Sequence, residues 1–351
     1  MSDANHIHAL MLPFEKELLP LPERAFLMRA EPSDAFDGPW RARLVCEQGF
    51  KPVCDRLTKA GYQAVARLEG RFPAGLVLLT KHKAENRANI ARAWGLLEPG
   101  GLLVCSGANA LGAGSQEREV EREVGLLDHL SKHQARTFWL RRPEGDAPLP
   151  ETLRQWLAAG EAQPVGDSGF VARAGCFSPE HADPGSALLA ECLPAAMAGR
   201  VADLGAGWGY LSVQAMRRCP EITGIDLYEA EAAALGDART NIGCLAPEKA
   251  ACASYSWQDV CAGLPEVAPY DWIISNPPFH EGGRADPAIG RAFIAAAWKS
   301  IRRRGKFLMV ANQHLPYEAE LRRRFREVDL VKLAGGYKVF LASNRHDRVA
   351  P

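Results

Sequence analysis

The 351-residue chain has no net charge: 42 Lys and Arg balance 42 Asp and Glu. The balance is not a cancellation between halves, since residues 1–175 carry 22 of each sign and residues 176–351 carry 20 of each. A protein held to nucleic acid by bulk charge is thereby disfavoured, although local basic faces stay open. No C-x-x-C pair occurs among the nine cysteines, and their number is odd. Several, such as Cys105 in LLVCSG, sit in apolar runs. That pattern points to reduced core thiols rather than a disulfide framework or a thiolate metal site. No His/Cys/Asp cluster has ligand spacing, so no metal is expected. No apolar run reaches the ~18 residues of a membrane span. The first twenty residues lack the basic-then-apolar signal pattern, so the cytoplasm is the expected compartment. With 47% hydrophobic and 24% charged residues, the chain reads as globular rather than disordered.

This length accommodates two ordinary domains or one large one. A Pro- and Gly-rich stretch near 143–175 marks the change of texture, giving an expected division into residues 1–170 and 171–351. The second half alternates short apolar runs with helical patterns: strands at 201–204, 222–225, 272–275 and 306–311, helices at 211–218, 229–241 and 291–303. That texture predicts an α/β fold, a mostly parallel sheet with helices on both faces. The first half repeats the order faintly, with an apolar run at 76–80, a helix at 84–97 and a strand at 102–105. An ancient duplication in which one copy lost its site accounts for this, as would two α/β domains of independent origin.

Four segments carry chemistry. In VADLGAGWGYL a strand ends at Asp203 and glycines follow at 205, 207 and 209 before a helix. Glycines at alternate positions let the backbone turn tightly and approach a ligand. Asp226 ends the run ITGID, 21 residues beyond Gly205, where a carboxylate can accept from both hydroxyls of a ribose. It can equally cap the helix that follows. Asp259 in SWQDV reads as a loop acid or as an acceptor for an adenine amino group. The segment IISNPPFHEGG runs an apolar strand into Asn276-Pro277-Pro278-Phe279. Proline ends the strand and stiffens the loop at the edge where open α/β sheets bind ligands. The Asn276 side-chain oxygen and the Pro277 carbonyl can both accept from an exocyclic amine. Phe279 can stack on a base, a contact worth roughly 1–3 kcal/mol. The plain alternative is a Pro-Pro turn with a core Phe.

D-x-G-x-G-x-G, an acid on the next strand and N-P-P-F together resemble the class I methyltransferases that use S-adenosylmethionine. NPPFH at 276–280, ANQHLPY at 311–317, GGYKVF at 335–340 and FSPEHADPGSALL at 177–189 resemble the RsmC/RlmG group of ribosomal RNA guanine-N2 methyltransferases. The resemblance implies two tandem Rossmann-like methyltransferase domains, the N-terminal one degenerate. It implies that Gly205, Gly207 and Gly209 line the methionine end of S-adenosylmethionine, with Asp203 near its amino group. Asp226 would hold the ribose and Asp259 the adenine. Asn276 and Pro277 would bind the guanine N2 and Phe279 would stack on the base, with Pro278 and His280 completing the substrate contact. His280 either touches substrate or stabilises the loop. The expected partner is ribosomal RNA or a ribosomal subunit, with no DNA and no membrane, and the expected state is a monomer.

In the first half, TKHK at 80–83 stands where the second has SNPPF. LVCEQGFKP at 44–52 has one glycine where a cofactor loop needs several, so a second active site is not expected. Three basic groups are candidates for phosphate contact: Lys299 with Arg302, Arg303, Arg304 and Lys306; Arg322, Arg323, Arg324 and Arg326; and Lys81, His82, Lys83 and Arg87. Helix-dipole complementation and plain solvent exposure explain the same residues. Two other readings stay open: the same fold methylating adenine N6 or a protein glutamine amide, and a non-catalytic RNA-binding or assembly protein.

Overall fold

Apolar runs of four to eight residues, too short for a helix and bounded by glycine, proline or charge, bury on both faces only inside a parallel sheet covered by helices. The chain builds that arrangement twice. The computed structural model describes residues 5–145, 148–266, 268–278, 280–281 and 284–347. It forms two units, Met1–Ala162 and Gln163–Pro351.

In the first unit the strands are β1 (Ala25–Met28), β2 (Leu44–Glu47), β3 (Gln63–Val65), β4 (Phe72–Leu78), β5 (Leu97–Ala108), β6 (Asp128–Lys132) and β7 (Ala135–Arg141). Its helices are α1 (Asn5–Glu15), α2 (Lys51–Lys59), α3 (Lys83–Leu96), α4 (Ala113–Glu123) and α5 (Glu151–Ala159). The sheet order is β3-β2-β1-β4-β5-β7-β6, with β7 antiparallel to both neighbours. Leu76 and Leu78 face one core while Val77 and Leu79 face the other.

The second unit opens with a two-stranded ribbon, β8 (Gln163–Pro164) and β9 (Val171–Ala172), then α6 (Pro184–Glu191). There follow β10 (Gly199–Leu204), α7 (Tyr210–Arg218), β11 (Ile222–Glu229), α8 (Ala232–Leu245), β12 (Ala253–Trp257) and β13 (Tyr270–Ser275). A second ribbon, β14 (His280–Glu281) and β15 (Arg284–Ala285), precedes α9 (Pro287–Ser300), β16 (Ile301–Asn312), α10 (Glu318–Arg324), β17 (Phe325–Ala334) and β18 (Tyr337–Arg345). The order β12-β11-β10-β13-β16-β18-β17 is the first sheet's order again. Val201, Ile225, Leu227, Ile274 and Leu308 line one face; Ala202, Leu204, Tyr228, Ile273 and Phe307 line the other. The expected pair of tandem α/β domains is thus present, with matching topology.

Two expectations need correction. The counterpart of β10 is β1, so the counterpart of the glycine loop begins at Arg29 and not within residues 44–52. Arg29 stands just past its strand with φ 59°, as Gly205 does with φ 73°. Second, β11 runs three residues past Asp226, because Leu227 and Tyr228 bury on opposite faces and pair with Tyr255 and Ser256 of β12.

Candidate active site

The ligand-facing end of the second sheet is assembled where β10, β11, β12 and β13 finish. Beyond β10 the backbone amides of Gly205 and Ala206 donate to the Tyr228 carbonyl at 2.8 and 3.1 Å, folding the loop back over β11. Gly205, Gly207 and Gly209 all have positive φ (73°, 54° and 84°), a region that strains side-chain-bearing residues. A Cβ on Gly209 would come within 3.0 Å of Ala238, whereas one on Gly207 would meet only open space. Gly207 is therefore the loop's free face.

Asp203 is fully buried beneath the loop. Ser212 Oγ donates to its Oδ2 at 2.7 Å, and its Oδ1 has no protein partner among the described residues. Burial pushes its pKa up to about 7, opposed by the Ser212 hydrogen bond and aided by the charge of Glu229.

Asp226 is not brought to the site. Its carboxylate lies within the strand, accepting from Arg200 Nη2 at 2.7 Å, from the Tyr270 hydroxyl at 2.6 Å and from Ser254. The acid at the end of β11 is Glu229. Gly207 N–H donates to its Oε2 at 2.7 Å and Glu231 N–H to its Oε1 at 2.8 Å, and burial raises its pKa. Two carboxylate oxygens hold about four acceptor positions, so these amides leave capacity for a ligand's hydroxyls. Asp259 caps the turn Val260–Ala262, accepting from Cys261 N–H at 2.8 Å. The preceding residue, Gln258, donates its backbone N–H to the Glu229 carbonyl at 2.9 Å, which sets Asp259 beside the end of β11.

Asn276 follows β13 directly, with Pro277 buried and Pro278 exposed. Its Nδ2 donates to Asp183 Oδ2 at 2.8 Å and to Ser186 Oγ at 2.8 Å. Phe279 lies outside the described residues, and His280 opens the ribbon β14–β15. A cleft joins Asn276 to the loop, lined by Phe177, Asp183, Ser186, Gly205 and Gly207 among others. Trp208 is buried and donates Nε1–H to the Phe177 carbonyl at 3.0 Å. It fixes the segment that carries Phe177, whose side chain is 55% exposed.

Of the expected residues, the cleft thus gathers Gly205, Gly207 and Asn276. Asp203 lies beneath the loop and Asp226 is committed elsewhere. Sequence reasoning missed Glu229, Asp183 and Ser186. The strand-ending acid was legible only with the true end of β11. Asp183-Pro184-Gly185-Ser186 reads locally as a helix start, with an N-cap acid and a proline at the first position. Its partner at residue 276 stands 93 positions away.

The arginines of the first two basic groups lie at the end of the sheet remote from Asn276. Ser275 pairs with Met309, while Arg302–Arg304 sit near the start of β16, roughly 20 Å away at about 3.3 Å per residue. Phe325 pairs with Arg345, so Arg322–Arg326 share that remote edge. Several are also engaged: Arg302 with Asp271, Arg303 and Arg326 with Asp347, and Arg323 and Arg324 with Glu320. In the first unit Lys83 and Arg87 both pair with Glu119.

The Methyltransferase small domain family matches residues 167–341. The chain is 31% identical over 251 residues to the ribosomal RNA small subunit methyltransferase C of Shewanella piezotolerans, covering 70% of this chain and 69% of that one. It is 26% identical to the protein of that name from Psychromonas ingrahamii, over 83% of this chain and 82% of that one. Among solved structures, the 16S rRNA N2 G1207 methyltransferase (RsmC) of T. thermophilus, in complex with AdoMet and guanosine, superposes with a TM-score of 0.73. That match is 26% identical and covers 97% of this chain and 92% of that one.

Proposed function

The chain belongs to the ribosomal RNA small subunit methyltransferase C family, and from that premise we infer its reaction and the residues that carry it. It transfers a methyl group from S-adenosylmethionine to the exocyclic N2 of a guanine in ribosomal RNA. The observation that carries the site assignment is the shared cleft. Asn276 stands at the end of β13, facing the same space as the open flank of the glycine loop.

The residues present fit the cofactor. Gly207 leaves room for close approach, Asp203 keeps an unpartnered buried oxygen under the loop, and Glu229 ends the neighbouring strand. Glu229, rather than Asp226, holds the ribose hydroxyls, and Asp259 accepts from the adenine amine. Asp203 offsets the positive charge of the methionine end. When bound, the cofactor supplies an electrophilic methyl on a sulfonium. Asn276 Oδ1 and the Pro277 carbonyl accept the two N–H bonds of the guanine amine, aiming the nitrogen lone pair across the cleft. This is orientation, the main contribution a protein makes to such a transfer. The amine gains the methyl and loses one proton, which leaves to water or to these acceptors. Phe279, Pro278 and His280 complete the base contact.

The substrate is the small-subunit RNA, recognised without DNA or a membrane, and the enzyme acts as a monomer in the cytoplasm. Among the described residues no helix is long and apolar enough to cross a membrane. The test is methyl transfer from labelled S-adenosylmethionine to ribosomal RNA from a strain lacking this gene, with the product nucleoside identified by mass spectrometry. N2-methylguanine in small-subunit RNA is expected. N6-methyladenine, or label in a protein glutamine, would overturn the assignment, and no transfer with intact RNA binding would leave a non-catalytic binder.

A further inference from the structure

Asparagine is a poor choice for reading an amine unless its amide is held one way round, because a half-turn about the terminal bond exchanges acceptor for donor. In this site both Asn276 Nδ2 contacts are acceptors: Asp183 Oδ2 and Ser186 Oγ, each at 2.8 Å. An ionised carboxylate only accepts. Rotating the amide would set Asn276 Oδ1 against Asp183 and leave the NH₂ group facing the cleft. The same Asp183 Oδ2 accepts Ser186 N–H at 2.8 Å, so the carboxylate is itself fixed at the start of α6. Asp183 is 8% exposed. Packing closes over it, since a Cβ on Gly185 would lie 2.9 Å from the Tyr337 ring and 3.0 Å from Asp183 Oδ2.

We propose that Asp183 and Ser186 form a positioning pair that locks the Asn276 amide with Oδ1 toward the cleft, and so makes the site selective for a base that presents an exocyclic amine. Neither residue touches the reacting atoms in this role; both act through Asn276. The proposal rests on the guanine-N2 reading above and adds to it the device that sets the polarity of the amide.

The experiment uses the full-length protein and four variants: Asp183→Ala, Asp183→Asn, Ser186→Ala and Ser186→Thr. Asp183→Ala is expected to lower kcat about 100-fold, the low end of the range for loss of one oriented polar group, with KM for S-adenosylmethionine within about threefold of wild type. Asp183→Asn keeps an oxygen that accepts both N–H groups and should recover to within about tenfold of wild type. Ser186→Ala leaves the α6 cap untouched, because its donor is the backbone N–H, and should lose about threefold to tenfold, which Ser186→Thr restores. Guanosine and inosine, which differ only in the N2 amine, serve as competing inhibitors. Wild type should prefer guanosine, and Asp183→Ala should lose about tenfold of that preference.

In an Asn276→Ala background, Asp183→Ala should cost nothing further, since the two act as one unit. A full additional loss in that background would assign Asp183 a structural role and sink the proposal. So would an unchanged guanosine preference in Asp183→Ala. Should Asp183→Ala fail to fold, the Ser186 pair decides: equal kcat for Ala, Thr and wild type overturns the lock. If wild type itself yields no N2-methylguanine, the reaction assignment has failed and not the lock.

Discussion

Two acids of the second unit look alike in sequence and separate on inspection of their partners. Asp226 neutralises Arg200 and accepts two hydroxyls, one of them from Tyr270, which also hydrogen-bonds the Tyr228 hydroxyl at 2.7 Å. Glu229 ends its strand with amide donors alone. Glu229→Gln should weaken S-adenosylmethionine binding about 10- to 100-fold, the worth of charge-assisted hydrogen bonds, by titration calorimetry. Asp226→Asn should leave that affinity unchanged and lower unfolding stability by about 1–3 kcal/mol in urea, because Arg200 loses its charge partner. Asp203 gives a pH signature. A carboxyl whose folded pKa is raised to about 7 favours folding while protonated. That contribution is whole below about pH 4 and is lost as pH rises through about 7. In cofactor-free protein, Asp203→Asn should therefore gain in Tm over wild type between pH 5 and pH 8. A constant difference across that range would remove the buried carboxyl as its cause.

Elements were legible where their signals were local. The glycine loop and the Asn-Pro-Pro turn stand out because backbone freedom and proline geometry act within a few residues. The end of β11 did not, since Asp226-Leu227-Tyr228-Glu229 before an Ala-rich stretch reads as a helix start. Pairing with β12 and burial of Leu227 and Tyr228 override that preference. Likewise the helix expected through Arg303 stops at Ser300, and Arg302–Arg304 enter β16. Between α9 and α10 the fit is close. A Cβ on Gly290 would fall 2.1 Å from the Tyr317 hydroxyl, and Tyr317 is buried. Gly290→Ala should cost about 1–3 kcal/mol by chemical denaturation, the range for overpacking a core. A neutral result would mean that Tyr317 can swing aside.

At the scale of the whole molecule, one topology appears twice with one cofactor loop. In the first unit Glu47 is the counterpart of Glu229, but where Glu229 meets backbone amides, Glu47 Oε2 is paired with the Arg92 guanidinium and also accepts from Leu68 N–H. Arg29 stands where the second unit has Gly205 and pairs with Glu85 at 3.3 Å. Calorimetry should find one S-adenosylmethionine per chain, and two would contradict the reading that Arg29 and the Arg92–Glu47 pair close the first unit to cofactor. We propose that the first unit serves substrate handling or structure. The neutral charge and the remote arginines bear on RNA binding: neither arginine group stands beside Asn276. The slope of log K against log salt for a ribosomal RNA fragment should be much shallower than the roughly −7 to −9 of a protein with ten phosphate contacts. A slope of that size would return the arginine groups to the interface.

The sequence alone determined the alternation of strands and helices, the glycine loop and the Asn-Pro-Pro turn, because each depends on residues within a few positions of one another; the reaction class followed from the family those segments resemble. Tertiary structure alone decided which acid ends β11, what holds the Asn276 amide and which end of the sheet the arginines occupy. Those depend on strand register and on contacts across 93 residues, where no local preference reaches.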